Sequence, residues 1–208
     1  MERPAVNALP TRQAQREATR ARLLQTAVQI LIAHGVAGTT TLAVQQSAGV
    51  SRGALLHHFP THAALLSATV AELVRMNEEN AQREAARLAG HPDPLVRAIR
   101  TLASVTVQPS FAAELELWAC ARTDAPLREA LRAAERAARP EHHRVVDALF
   151  APLAHHPGAA TVAALSVEFL RGLALSSLLK SDPARREQLI DDWIQSAAML
   201  LDKPGRMT

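Results

Sequence analysis

The sequence predicts an all-α fold of about nine helices, and three observations predict it. The 208 residues are 48% hydrophobic, and that share is mostly Ala, Leu and Val, with four Phe, two Trp and no Tyr, a composition that favours helices over sheets. Apolar residues recur at helical spacing along most of the chain. Glycine, proline and capping residues interrupt that period where helices need stops and starts. Nothing reads as a strand, an internal repeat or a low-complexity tract, and the length suits one ordinary domain or two small ones sharing a core.

Residues 1–11 hold Pro4 and Pro10 and no apolar period, so they read as an arm. The first helix is expected to start near Thr11 to Gln15. Leu24, Ala27, Val28 and Leu31 form its stripe, and His34-Gly35 stops it, glycine being free to take positive φ. Thr39-Thr40-Thr41 offers hydroxyl caps for a short second helix with Leu42, Ala43 and Ala48, which Gly49 breaks. Ser51 caps a third, on which Leu55 and Phe59 share a face before Pro60. Helices of two turns are not stable alone, so both must pack on the first, giving a three-helix unit with a helix-turn-helix inside it. A fourth helix is expected from about Thr61 to Leu88 and a fifth from Leu95 to Val107. The sixth runs from Ser110 to Arg122, and Thr123 or Asp124 caps a seventh that Pro140 should kink or split near Glu141. The loop His155-His156-Pro157-Gly158 leads into the eighth, and Ser181-Asp182-Pro183 opens the ninth.

The net charge of +3 hides an asymmetry. Residues 1–62 carry six Arg against Glu2 and Glu17, plus four histidines, whereas the remaining 146 residues have 17 basic and 18 acidic groups. A basic head on a neutral body suggests that one end meets a polyanion. The single Cys120 excludes an internal disulfide and a cysteine-based zinc site. Met1-Glu2-Arg3-Pro4 has no apolar run behind it to read as a signal peptide. The most hydrophobic segment, Val162 to Leu179, is interrupted by Glu168 and Arg171, so the expectation is a cytoplasmic protein with no membrane partner.

In a helix-turn-helix the second helix enters the DNA major groove, its N-terminal residues at the base edges. On Ser51 to Phe59, Leu55 and Phe59 turn inward. Gly53 and His57 point away from the core, Ala54 and Leu56 flank them, and Arg52 stands at the tip. Arg52 is the one side chain there able to make paired hydrogen bonds to guanine. Gly53 permits close backbone approach. Thr40 and Thr41 bring a hydroxyl and unpaired amides to a phosphate, and His58 and His62 reach phosphates on the far side.

Thr40-Thr41-Leu42-Ala43, Ala48-Gly49-Val50-Ser51-Arg52-Gly53-Ala54-Leu55, His58-Phe59 and Leu65-Leu66 together resemble the N-terminal signature of the TetR family of bacterial transcriptional repressors, over roughly residues 17–68. The remaining two thirds resembles the family in helix count and order. The family usually has tyrosine where Leu56 stands and lysine where His62 stands, both phosphate contacts. Phosphate contact is therefore expected to lean on Arg3, Arg12 and Arg16 and on Arg20 or Arg22.

The resemblance implies an arm and DNA-binding domain at residues 1–60 and, at 61–208, a helical body with a ligand pocket and a dimer face on the last two helices. Helix nine has two adjacent apolar stripes, wider than one core contact requires: Leu189, Trp193, Ala197, Leu200 and Ile190, Ile194, Ala198, Leu201. The expected interface is Leu189, Ile190, Trp193, Ile194, Ala197 and Leu201. Phe111, Trp118, Cys120 and Phe169 enter an otherwise aliphatic body with Arg122, His143, Glu168 and Arg171. They read either as a mostly apolar cavity with polar groups to orient a guest, or as plain core with Glu168 and Arg171 as a surface ion pair.

Enzymatic readings fare worse. Cys120 with His142 and His143 lacks the setting of a thiol nucleophile, and no G-x-S-x-G elbow occurs. The pairs His142-His143 and His155-His156 have no H-E-x-x-H or carboxylate cluster beside them, so neither metal nor cofactor is expected. The expectation is a non-enzymatic regulator, most simply a repressor, that binds a palindromic double-stranded DNA operator as a homodimer and is released by a small apolar or amphipathic effector. The alternatives are a ligand-independent DNA-binding module and a hydrolase.

Overall fold

The computed structural model describes residues 11–180 and 182–203, apart from the side chains of residues 138–143. Its elements are α1 (Arg12–Gly38), α2 (Thr41–Ala48), α3 (Arg52–His58), α4 (His62–Arg87), α5 (Pro94–Val105), α6 (Pro109–Ala121), α7 (Ala125–Phe150), a 3₁₀ turn (Ala151–Leu153), α8 (Ala159–Ser177) and α9 (Pro183–Leu201). No strand occurs among the described residues.

The caps follow local chemistry. Side-chain oxygens of Thr11, Thr40, Ser51, Thr61, Asp93, Asp124 and Asp182 accept backbone N–H groups in the first turns of α1, α2, α3, α4, α5, α7 and α9. Gly49 ends α2 in the left-handed region, at φ 63°. Gly35, at φ 69°, breaks the helical path inside α1.

Three departures from sequence expectation have physical reasons. Leu23, rather than Leu24, joins Ala27, Val28 and Leu31 on the buried face of α1, because α1 packs against α2, α4 and α6 at once. Helix α7 runs unbroken through Pro140. A proline removes one helical N–H, but α7 is clamped on both sides of it, by Leu127 and Leu131 in one apolar cluster and Phe150 in another. The 3₁₀ turn after α7 has no clear periodic signal in three residues.

Three apolar clusters make up the interior. Leu23, Ala27, Val44, Ala48, Leu55, Phe59 and Leu65 join α1, α2 and α3 to the start of α4. Val28, Leu31, Leu66, Val70, Leu73, Leu117 and Leu131 join α1, α4, α6 and the first half of α7. Leu95, Ile99, Phe150, Val162, Leu170 and Ile190 join α5, the end of α7, α8 and α9. Helix α1 thus belongs to head and body alike.

Helix α8 is long and apolar enough by composition to cross a membrane. Here one face of it, Val162, Ser166, Leu170 and Ala174, is buried in the protein. Ser166 accepts a hydrogen bond from the Trp193 indole of α9 at 3.0 Å. At its start the Gly158 N–H donates to the Leu201 carbonyl at 2.8 Å, and a Cβ on Gly158 would lie 2.0 Å from the Leu200 carbonyl oxygen. Backbone meets backbone there, so no side chain can yield. Gly158→Ala is expected to lower the unfolding free energy by about 1–3 kcal/mol in urea denaturation followed by circular dichroism. Gly172→Ala, in open space within α8, should raise it by up to about 1 kcal/mol. A neutral Gly158→Ala would show that the α8–α9 contact relaxes.

Candidate functional site: an exposed capped helix and a cavity in the body

Leu55 and Phe59 turn into the core and leave Ser51, Arg52, Gly53, Leu56 and His57 exposed on α3, with Ala54 half-buried beside them. The Ser51 hydroxyl accepts from Ala54 N at 3.1 Å and the Thr40 hydroxyl from Ala43 N at 3.0 Å, so the starts of α2 and α3 are both pinned. Thr40 is exposed and Thr41 half-buried. The side chains of α1 gather at the same end. The Arg20 guanidinium lies 5.3 Å from the centre of the Phe59 ring, and Arg16 acts on His58.

Two histidines are constrained by their surroundings, and one of them, His62, departs from its expected phosphate contact. Burial, followed by the charges of His57, Arg16 and Arg20, holds the His58 pKa below its ordinary value, so His58 is a neutral donor near pH 7 rather than a source of charge. His62 Nε2 donates to the Thr39 carbonyl at 2.7 Å, which ties the start of α4 to the α1–α2 turn and removes that nitrogen from any phosphate. The rings of His57 and His58 stand 5.4 Å apart edge to face, and no cluster of three or more metal-ligating side chains occurs among the described residues. Arg12, Arg16, Arg20 and Arg22 are exposed, whereas Arg3 falls outside the described residues.

The turn below the head is held by residues of three helices, α1, α4 and α6. Val36 N donates to Glu116 Oε1 of α6 at 2.7 Å, the Thr39 hydroxyl donates to the Gly35 carbonyl at 2.8 Å, and His62 completes the set. A Cβ on Gly35 would lie 2.6 Å from Glu116 Oε1, so glycine serves both the positive φ and the approach of α6.

Between the two body clusters lies a cavity of about 210 Å³. Of the expected ligand residues, Phe111, Trp118 and Arg171 line it. Cys120 does not, because it follows Trp118 by two positions and turns away to the α1–α4–α6 cluster, where burial raises its pKa. Arg122 is exposed at the end of α6. Phe169 stacks on Trp193 at 5.3 Å, between α8 and α9. The His143 side chain lies outside the described residues. Glu168 is exposed and receives Arg171 Nη1 at 2.7 Å, the surface ion pair weighed as the alternative, although the Arg171 end faces inward.

Sequence reasoning missed the acidic lining: Glu78, Glu114 and Glu135, with Asn77. Asn77 Nδ2 donates to Glu114 Oε2 at 2.8 Å and Ser110 Oγ donates to Asn77 Oδ1 at 2.5 Å. Burial raises the Glu114 pKa from 4.5 to about 7. A faint signal exists: Glu114 shares a face with Leu117 and Trp118, whereas Glu116 points oppositely.

The expected dimer residues divide. Ile190, Ala197 and Leu201 are 0%, 0% and 6% exposed, held in the core of the chain itself, so they are not free for a partner. Leu189, Trp193 and Ile194 are half-buried. The exposed apolar face is instead Leu165, Leu175, Leu178 and Leu179 of α8 and its end, with Met199 of α9.

A Ser-capped helix set across a glycine turn from a Thr-capped one, and packed on a third, defines a helix-turn-helix protein. Residues 23–69 match the family model described as "Bacterial regulatory proteins, tetR family". The HTH-type transcriptional regulator CymR of Pseudomonas putida is 30% identical over 180 residues, 86% of this chain and 89% of that protein. The chain belongs to this family. An uncharacterized HTH-type transcriptional regulator of Mycobacterium tuberculosis is 35% identical over 122 residues, 59% of this chain, and the match spans 63% of that protein's length. Both relatives are HTH-type transcriptional regulators. Among solved structures, the multidrug binding protein EbrR complexed with ethidium is 26% identical, with a TM-score of 0.59 over 85% of this chain and 96% of that one. A transcriptional regulator from Rhodococcus sp. Rha1 shares the fold at 22% identity and a TM-score of 0.61, over 89% and 99% of the two chains.

The raised pKa of Glu114 bears on stability. Between 4.5 and about 7 the folded chain holds a proton that the unfolded chain has released, so stability is lost as pH rises through that window. Glu114→Gln should stabilise the protein at pH 8 by roughly 1–3 kcal/mol and make no difference at pH 4. An equal effect at both pH values, by urea denaturation, would assign it to packing instead.

Proposed function

We propose that the protein is a ligand-responsive transcriptional regulator, most simply a repressor inside the bacterial cell, that binds a palindromic operator as a dimer and leaves it when a small apolar or amphipathic molecule fills the body cavity. The observation that carries this reading is the exposed face of α3, whose tip residue Arg52 stands free beside Gly53, Leu56 and His57. Arg52 reads guanine, and Leu56 offers an apolar contact to a thymine methyl. The amides and hydroxyls at Thr40, Thr41 and Ser51, with His57 and His58, hold phosphates. Residues 1–60 act as arm and head and residues 61–208 as body, with α1 common to both packing units.

Helix α6 suits the coupling. It turns Glu114 and Trp118 to the cavity and Glu116 to the break in α1, so a guest that shifts α6 changes the seat of the head. Moving a two-state dimer from competent to incompetent takes several kcal/mol of preference, which a guest gains by filling the cavity rather than touching its rim. EbrR has been crystallised with ethidium and with proflavin, which supports a ligand in the corresponding body. The cavity also weighs against a ligand-independent module.

Arg52→Ala should weaken operator binding by about 1–3 kcal/mol and leave salt-sensitive binding to random DNA nearly unchanged. Equal loss on both, in anisotropy titrations, would make Arg52 a phosphate contact. For assembly, Leu175→Asp and Met199→Asp, both more than half exposed, should give helical monomers in sedimentation that bind the operator weakly. Dimers surviving both substitutions would exclude the exposed α8–α9 face.

A further inference from the structure

Two donors lie beside the cavity with no acceptor. Trp118 Nε1 and Arg171 Nε are both buried, and no hydrogen-bond acceptor among the described residues reaches either. They belong to adjacent side chains, the Arg171 guanidinium lying 4.8 Å from the centre of the Trp118 ring, and both side chains line the cavity. A buried donor left unmet is costly, and native interiors pair nearly all of them. Resting on the effector reading above, we propose that the cavity takes an uncharged molecule of about one ring, carrying a hydrogen-bond acceptor such as a carbonyl oxygen, and that Trp118 and Arg171, whose buried nitrogens are closed off from the open space of the cavity, shift to receive it.

Size, walls and charge support each part of this. A dry cavity of about 150 Å³ admits benzene, so the 210 Å³ here suits a single substituted ring rather than a fused polycycle. Val74, Ala81, Leu102, Val105, Phe111 and Leu170 give that ring apolar walls. An anion is disfavoured. Among the described lining residues, three carboxyl groups, Glu78, Glu114 and Glu135, face the one guanidinium of Arg171, which is already paired with Glu168. A cation is disfavoured as well. The indole face, the best surface for one, is covered by Arg171, and a second cation would meet that guanidinium. Glu114 already accepts from Asn77, with a pKa of about 7 that leaves it partly neutral. An uncharged acceptor satisfies the donors without these conflicts.

The test compares four probes of one ring on the full chain: acetophenone, isopropylbenzene, benzoate and benzyltrimethylammonium. Calorimetry should show acetophenone binding at least tenfold more tightly than each of the others. In ¹⁵N-correlated spectra of the unaltered protein, acetophenone should move one indole N–H signal downfield and isopropylbenzene should not. Trp193→Phe assigns the moving signal to Trp118. Trp118→Phe, which keeps a ring and deletes the donor, should bring acetophenone down towards isopropylbenzene. Isopropylbenzene binding as well as acetophenone, a charged probe binding more tightly, an unmoved Trp118 signal, or no acetophenone binding up to its solubility would each overturn the proposal. Operator binding with the same probes separates the two readings. Acetophenone preference without DNA release would sink the effector role and leave the cavity chemistry standing.

Discussion

One carboxylate of the body meets the chain where the head begins. Glu116 on α6 accepts the Val36 amide just past the break at Gly35, and this bond sets how α1 leaves the body and where α2 begins. A helix end has backbone donors and acceptors without intrahelical partners, and here they are met by tertiary contacts rather than by a local cap. Thr39 and His62 fill the remaining positions, so α1, α4, α6 and the turn into α2 share one small network. Glycine at 35 is the condition for it, because both the left-handed φ and the 2.6 Å approach forbid a Cβ.

The cavity follows from how the body is divided. Two apolar clusters pack separately, one on α1, α4 and α6 and one on α5, α8 and α9, and α7 belongs to both. The space between them is lined by side chains from the edge of each, which is why it mixes valines and leucines with Asn77, Glu114 and Arg171. Burying a carboxyl there carries a desolvation cost that the Asn77 hydrogen bond offsets only in part, hence the raised pKa of Glu114. The same helix turns that carboxyl inward and Glu116 outward, so cavity and head are joined by a single rigid element.

Legibility varied with the range of the forces involved. The caps at Thr40 and Ser51, the opening of α9 at Pro183, the turn at Gly49 and the inward pair Leu55 and Phe59 all follow from interactions within a few residues, and the sequence predicts each of them, whereas the stop expected at Gly35 is a break beyond which α1 runs on to Gly38. Phe111, Trp118 and Arg171 at the cavity were legible because aromatic and charged side chains stand out in an aliphatic body. Glu114 was not. A lone carboxylate in a helix ordinarily faces water, and only the packing of α4 and α7 over α6 buries it.

By itself, then, the sequence determined the helices, most of their caps and the exposed face of α3, because helical period and capping are local and repeat in the chain as written. The tertiary structure alone decided that the buried line of α9, Ile190, Ala197 and Leu201, draws on both of its apolar stripes, that α7 passes through Pro140, that Phe169 leaves the cavity to stack on Trp193, and that His62 serves a backbone carbonyl. Each of these depends on which distant residue becomes a neighbour. A side chain's period says which face it shares, and only the packed partner says what that face meets.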